Sequence, residues 1–114
     1  MICDARLPLI SDGKLREELV LYNLNSEEAC DLCGRFLQLT GKSIDADCET
    51  ANLSGGQKVV LMFLLAMLSP ARNIVFIDLM RSLDAATRIL INQMIESAKP
   101  EKEIILEDAE DVDG

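Results

Sequence analysis

A long apolar run, Val59 to Leu68, constrains the fold of this chain more than any other feature of its sequence. The residues Ser-Gly-Gly-Gln at 54–57 come shortly before the run, and Ser69-Pro70 follows it. The run is too continuous for a loop, so we expect a buried helix. Ser54 is a favourable N-cap, and Gln57, three residues on, completes the pattern of a capping box.

Two glycines open this predicted helix, although glycine is a poor helix former. Gly55 and Gly56 carry no side chain, so a phosphate could approach the N–H groups of the first turn. The helix dipole adds roughly half a positive charge at the same place. The stretch 53–57 therefore predicts an anion-binding site at a helix N-terminus.

Several motifs in this chain resemble those of ABC-type ATPases. Leu-Ser-Gly-Gly-Gln at 53–57 is similar to the family's signature motif, Asn73–Asp78 resembles the Walker B strand, and Ser82-Leu83-Asp84 resembles the D-loop. The stretch 8–18, PLISDGKLREE, resembles the segment after the Q-loop, especially in exporter-type nucleotide-binding domains. The resemblance covers nearly the whole chain but only the second half of such a domain. It implies an α/β fold that is part of a P-loop NTPase fold, diverged or truncated.

The implied organisation is an α-helical subdomain followed by a strand–helix–strand portion of a parallel sheet. We expect residues 1–69 to form the helical subdomain, ending in the signature helix. Residues 70–114 would contribute the Walker B and D-loop part of the sheet core and an acidic tail at 107–113. A two-stranded parallel sheet needs cover on both faces and both edges. We therefore expect the chain to be part of a larger structure or to pack against a partner.

Hydrophobic periodicity and capping signals place the individual elements. They predict helices at 14–22, 26–39 and 83–98, strands at 73–79 and 102–106, and an irregular segment at 1–12. Asn25 and Glu28 should form a capping box, Gly41 should end the second helix, and Ser82 should cap the last one. The expected buried positions are Leu15, Leu19 and Tyr22 in the first helix, Ala29, Cys30, Cys33, Phe36 and Leu37 in the second, and Leu83, Ala86, Ile89, Leu90, Ile91 and Met94 in the last. Arg16, Glu17 and Glu18 should face outward.

The family resemblance implies the site residues. Ser54, Gly55, Gly56 and Gln57 would contact the γ-phosphate of an ATP bound by a partner domain, with Asp84 of the D-loop-like motif beside them. Asp78 stands at the carboxyl end of the predicted interior strand, where ligands of parallel sheets gather. It is the candidate ligand for Mg²⁺.

Other parts of such an ATPase site are missing from the sequence. Gly41-Lys42-Ser43 is not a phosphate loop, because Phe36 stands where the first glycine is needed and a helix precedes the motif. Leu79 occupies the position of the catalytic glutamate, Arg6 stands near that of the Q-loop glutamine, and the chain has no histidine to act as the switch residue. Loss of a general base costs about 10²–10⁴-fold in rate. We therefore expect a chain that cannot hydrolyse ATP alone.

Composition and charge limit the partners, the cysteine chemistry and the location that we expect for this chain. The net charge of −9 argues against nucleic acid or anionic lipid as a direct partner. Cys30 and Cys33 have C-x-x-C spacing but lie one turn apart in a predicted helix, so reduced thiols are favoured over a zinc or redox site. The apolar run at 59–68 is about half of the ~20 residues that span a bilayer. A cytoplasmic location follows, peripheral to a membrane if the partner is a transporter.

Two functions and one trivial origin remain open from the sequence. The first is a signature-bearing portion of an ABC-type ATPase, with a transporter favoured, that contacts ATP bound by a partner. The partner would be a second nucleotide-binding domain or a missing N-terminal half, with a transmembrane domain as a further partner. The alternative is a non-catalytic protein-interaction module derived from such an ATPase, without nucleotide. The chain could also simply be a piece of a full-length ATPase.

Overall fold

The computed structural model describes residues 1–11 and 13–108. Its elements in chain order are β1 (Ile2–Asp4), α1 (Leu15–Leu21), α2 (Ser26–Thr40), a 3₁₀ helix (Thr50–Asn52), α3 (Gly55–Leu68), β2 (Asn73–Ile77), α4 (Ala85–Ala98) and β3 (Glu103–Glu107). The predicted α/β class, with a strand–helix–strand unit after the helices, is confirmed, and β1 is an additional strand ahead of the helices.

The three strands form one parallel sheet in the order β1-β2-β3. β2 is the central strand, as its continuous apolar sequence predicts, but it ends at Ile77, two residues before the predicted end, because Asp78 is in the left-handed region. The prediction that residues 1–12 are irregular is wrong, because Ile2 pairs with Val75 and Asp4 with Ile77. β1 has only three residues, too few for a periodic pattern, and its partner strand is remote in sequence.

Helix α3 is the centre of the core. Every side chain from Val59 to Ala66 is buried, which confirms the helix predicted from the apolar run. Phe63 packs against Phe76 of β2 with ring centroids 5.4 Å apart. The position of α3 against the sheet is therefore fixed by aromatic and aliphatic contacts.

Helix α2 begins and ends as predicted, within one residue. Asn25 and Glu28 form the capping box, and Gly41 ends the helix in the left-handed conformation with φ 76°. Gly41 is thus a helix C-cap and does not begin a phosphate loop. The buried face is partly different from the prediction, since Leu32 and Phe36 are buried while Cys30 and Leu37 are exposed.

In helix α1 the apolar stripe is confirmed, with Leu15, Leu19 and Tyr22 buried. Glu18, expected to face outward, is fully buried. Its two carboxylate oxygens accept hydrogen bonds from the N–H groups of Ile10 and Ser11, each at 2.8 Å. The carboxylate satisfies two donors of the preceding loop, and this compensates its removal from water.

Helix α4 starts later than predicted. Asp84, not Ser82, is the N-cap, and its carboxylate accepts from the N–H of Thr87 at 2.8 Å. The buried positions are Thr87, Ile91 and Ile95, whereas Ala86 and Ile89 are exposed. The N-cap is thus two residues later than predicted, and the buried face of α4 consists partly of other residues than those predicted. β3 is shifted by one residue from its prediction, and residues 109–113 of the predicted acidic tail lie outside the described part of the chain.

Candidate functional site

The first turn of α3 carries the predicted capping box. The Ser54 hydroxyl oxygen accepts from the N–H of Gln57 at 3.2 Å, and the Gln57 side-chain oxygen accepts from the N–H of Ser54 at 2.9 Å. The glutamine side chain therefore has a structural role at this helix end. The next N–H groups, those of Gly55 and Gly56, have no carbonyl partner within a helix that starts at Gly55.

The two glycines differ in their surroundings. A Cβ added to Gly55 would meet no described atom within 4 Å, and both Ser54 and Gly55 are exposed. A Cβ on Gly56 would lie 3.1 Å from the backbone oxygen of Ser82. The outer side of the first turn is thus open to an incoming anion, while its inner side is packed against the loop before α4.

A shallow cavity of about 230 Å³ joins the N-termini of α3 and α4. Its polar lining consists of Thr40, Ser54, Gln57, Ser82, Asp84 and Thr87, with Gly56 between them. The structure therefore brings Asp84 together with the signature-like residues. The hydrogen bond from the Thr87 N–H lowers the pKa of Asp84, so this carboxylate is charged at neutral pH.

Thr87 and Thr40 were not among the predicted site residues. Thr87 follows the D-loop-like motif by one helical turn, and its N–H is the donor that holds Asp84. An Asp N-cap with its donor three residues on is a recognisable local pattern. Thr40 reaches the cavity through tertiary packing of α2, for which the sequence carries no local signal.

Asp78 lies apart from these residues, in a second cavity lined by Leu79, Arg81, Arg88 and Glu107 among others. Its backbone is in the left-handed region with φ 56°, and its N–H donates to the backbone oxygen of Glu107 at 2.8 Å. The buried carboxylate faces the Arg81 guanidinium at 3.5 Å. Asp78 is thus held at the carboxyl end of β2, as predicted, but with a cation beside it.

Among the residues that the structure describes, Asp78 does not belong to a larger group of metal-ligating side chains. Within residues 1–11 and 13–108, no group of three or more Cys, Asp and Glu side chains is placed to hold a metal ion. Leu79, at the position of the expected glutamate, is an aliphatic side chain that is 3% exposed. It offers no atom that could accept a proton from water.

Two further sequence features have structural roles. Arg6, near the position of the Q-loop glutamine, donates to the Asp4 carboxylate with a shortest distance of 2.6 Å. All four cysteines are free thiols, and Cys30 is exposed although it was expected to face the core. None of the described helices is long and apolar enough to cross a bilayer.

Comparison with known proteins supports the fold. No protein-family model matches the chain. A bacterial Atm1-family ABC exporter with ATP bound superposes with a TM-score of 0.73 at 12% identity, over 95% of this chain and 20% of that one. A protein described as a cobalt transport ATP-binding protein gives a TM-score of 0.67 at 21% identity, over 98% of this chain and 42% of that one.

A curated relative is similar in sequence. The mating factor M secretion protein mam1 of Schizosaccharomyces pombe is 28% identical over 102 residues, which is 83% of this chain and 8% of the relative. The chain thus spans less than half of the length of each of these three proteins. Together with the sheet order and the position of α3, these likenesses show that the chain has the fold of part of an ABC-type ATPase domain.

Proposed function

We propose that this chain is the signature-bearing portion of an ABC-type ATPase and contacts ATP that a partner domain holds. The observation that carries the proposal is the open first turn of α3. Ser54 and Gly55 are exposed, and a Cβ at Gly55 would meet no described atom within 4 Å. An exposed helix N-terminus favours binding of the terminal phosphate of a nucleotide.

The chemistry assigned to this chain is binding rather than hydrolysis. Asp78 supplies one carboxylate, and Mg²⁺ is commonly held by one or two carboxylates together with nucleotide phosphates and water. The phosphates would have to come with a partner's phosphate loop. Leu79 cannot orient or deprotonate water, so the general base must also come from elsewhere.

The proposed partner is a second nucleotide-binding domain or an N-terminal half that carries a phosphate loop. Two of the proteins named above are described as an exporter and a secretion protein, which supports a transporter context. In that context a transmembrane domain is a further partner, and the chain would lie at the cytoplasmic face of a membrane. Residues 1–69 and 70–114 are proposed as the helical and sheet-core parts, with β1 (Ile2–Asp4) added to the sheet core from the first of them.

ATP binding in a mixture tests the proposal directly. A phosphate-loop-bearing nucleotide-binding domain from an ABC exporter should bind ATP about tenfold more tightly when this chain is added, a gain of about 1.4 kcal/mol. Ser54→Arg should abolish the gain because the arginine fills the space in front of the first turn. Ser43→Arg is the matched control, since Ser43 is exposed in the loop before α3 and lies outside the cavity.

The cap and the ligand contact can be separated. Ser54→Asp keeps a good N-cap but places a carboxylate where the phosphate would sit. It should leave the helix intact and still remove the gain in ATP affinity. If no pairing with such domains gives a gain, and crystals grown with ATP show no phosphate density at Ser54, the interaction-module alternative replaces this proposal.

A further inference from the structure

A cavity of about 430 Å³ is lined by α2, α3 and α4 and by the turn before β3. We call it the three-helix cavity. Its apolar lining consists of five partly buried side chains, Leu39, Met67, Leu68, Leu90 and Met94. Met67 and Leu68 belong to the last turn of α3, at the opposite end of that helix from Ser54. Among the described residues, Leu39 is the one that also lines the cavity at Ser54.

The size and the lining of the three-helix cavity fit a small ligand. Ligand sites are typically concave spaces of about 300–1,000 Å³ with a mostly apolar wall and a few polar groups. Two of the five apolar side chains are methionines, whose flexible thioethers adapt to ligands of different shape. Because the five side chains come from three helices, an alkyl chain in the cavity would contact apolar atoms on more than one side.

A lysine in the lining keeps a hydrogen-bond donor for a ligand. The Lys102 ammonium donates to the backbone oxygens of Ser69, at 2.8 Å, and of Ala71. Since an ammonium group has three N–H donors, one remains after these two bonds. Burial lowers the pKa of Lys102, so an anion beside the ammonium would offset part of the cost of burying its charge.

An arginine in the same lining also keeps donors. The Nε of Arg35 donates to the Asp31 carboxylate at 2.9 Å, and among the described residues its terminal nitrogens have no hydrogen-bond partner. Glu101 is the acidic residue of the lining, and Asp31 stands beside Arg35. A ligand head with two negative charges would meet repulsion from both carboxylates, so a head with a single negative charge fits better.

The net charge of −9 does not prevent a small anion from binding in this cavity. At physiological salt, exposed charges that are more than about 8 Å apart are largely screened from each other. The groups that line the cavity therefore decide the preference for a small ligand. An anionic bilayer remains disfavoured, because it would face a wide area of an acidic chain rather than one cavity.

We propose that the three-helix cavity binds an unbranched alkyl carboxylate of the medium-chain fatty acid class. The alkyl chain packs on the methionine and leucine side chains of α2, α3 and α4, and the carboxylate accepts hydrogen bonds from Lys102 and Arg35. The site requires no ATP, no metal ion and no second nucleotide-binding domain. It is therefore independent of the function proposed above.

Titration calorimetry on the complete chain tests the proposal with hexanoate, octanoate and decanoate, each below the concentration at which it forms micelles. Decanoate should bind in a 1:1 ratio with a dissociation constant on the order of 10 to 100 μM. Each buried methylene should tighten binding about threefold to fourfold. Decanol and decyltrimethylammonium have the same chain length without the carboxylate and should bind at least about tenfold more weakly.

Methyl NMR of the five methionines locates the ligand. Met67 and Met94 line the three-helix cavity, whereas Met62 is buried in the core and Met80 lies outside the cavity. Decanoate should therefore shift the methyl signals of Met67 and Met94 and leave that of Met80 unchanged. The dissociation constant from these shifts should equal the one from calorimetry.

Two variants with matched controls separate the head group from the alkyl chain. Arg35→Gln should weaken decanoate about tenfold and leave the weaker binding of decanol unchanged. Its control is Arg16→Gln, because Arg16 also pairs with an aspartate, Asp47, but lies outside the cavity. Met94→Gln keeps a similar shape but adds a polar amide, so decanoate and decanol should both bind about tenfold more weakly. Met80→Gln, at another partly buried methionine, is its control.

Four outcomes would overturn the proposal. The first is no saturable binding of decanoate to the folded chain, and the second is equal affinity for hexanoate and decanoate. The third is binding of decanol or decyltrimethylammonium as tight as that of decanoate. The fourth is a loss of affinity in the control variants as large as in Arg35→Gln and Met94→Gln. Ser54→Asp should bind decanoate as the parent chain does, which separates this result from the test of ATP binding.

Discussion

The backbone oxygen of Ser82 lies where it would be 3.1 Å from a Cβ on Gly56. The backbone of the loop that leads into α4 therefore lies close to the first turn of α3 at Gly56. Gly55, one residue earlier, would carry a Cβ without any contact to a described atom within 4 Å. The two adjacent glycines therefore have different structural reasons: Gly56 permits a close backbone approach, and Gly55 leaves the outer side of the turn open.

Alanine substitutions should separate these two roles. Gly55→Ala should stabilise the chain by up to about 1 kcal/mol, because alanine is the better helix former and nothing obstructs it. Gly56→Ala should be less stable than Gly55→Ala by about 1 kcal/mol, since the Ser82 carbonyl must move. Urea unfolding measures both values. Equal stabilities of the two variants would show that the loop containing Ser82 moves without a loss in the free energy of unfolding.

The Ser54 cap makes a separate stability prediction. Ser54→Ala should cost about 1 kcal/mol, because the Gln57 N–H loses its acceptor at the helix end. Ser54→Asp should stay within about 0.5 kcal/mol of the parent chain, since aspartate caps as well as serine. Circular dichroism during urea unfolding measures both. The reverse order of stabilities would contradict a capping role for the hydroxyl.

Local signals in the sequence were sufficient for both ends of α2 and for the start of α3. Two capping boxes, at Asn25 and at Ser54, and the glycine C-cap at Gly41 are each formed as predicted. Their geometry depends on residues within one turn, so sequence spacing determines it. The central strand was equally clear, because only a strand covered by neighbours tolerates a continuous apolar run.

Features that depend on distant partners were missed. β1 was not predicted, because its three residues gain their ladder from β2, about seventy positions away. Glu18 was placed outside because helical periodicity does not reveal the loop N–H groups of Ile10 and Ser11 that bind it. Ser82 and Asp84 are both favourable N-caps, so the local sequence does not decide between them. In the fold Asp84 is the cap, and the backbone oxygen of Ser82 lies close to Gly56.

Glu18 should be one of the most sensitive polar positions in the chain. Glu18→Ala leaves the N–H groups of Ile10 and Ser11 without their acceptors, so we expect a loss of about 3 kcal/mol in the free energy of unfolding. Glu27→Ala is the control, because Glu27 is exposed in the first turn of α2 and should change stability by no more than about 0.5 kcal/mol. Similar losses for the two variants would contradict the buried position of Glu18.

The cysteines should differ in reactivity according to burial. Cys30 is exposed, whereas burial raises the pKa of the thiols of Cys3, Cys33 and Cys48. Since the thiolate is the reactive form, iodoacetamide should modify Cys30 first and Cys3 last. Peptide mass mapping over time gives the order. In urea the four rates should converge, and early modification of Cys3 in the folded chain would contradict its packing in the core.

The Asp84 cap should make stability depend on acid pH. Its hydrogen bond from Thr87 lowers the folded-state pKa below the ordinary value of 3.8, so the unfolded chain takes up a proton first as the pH falls. The charged Asp84 cap therefore stabilises the folded chain fully above the pKa of the unfolded state, and this stabilisation is lost as the pH falls through the pKa of the folded state. Asp84→Asn keeps a cap that does not titrate and should show a smaller loss of melting temperature below about pH 4. Asp84→Ala should instead melt lower at neutral pH and approach the parent chain in acid. Parallel melting curves of the parent and Asp84→Asn at every pH would show that this carboxylate does not cap α4.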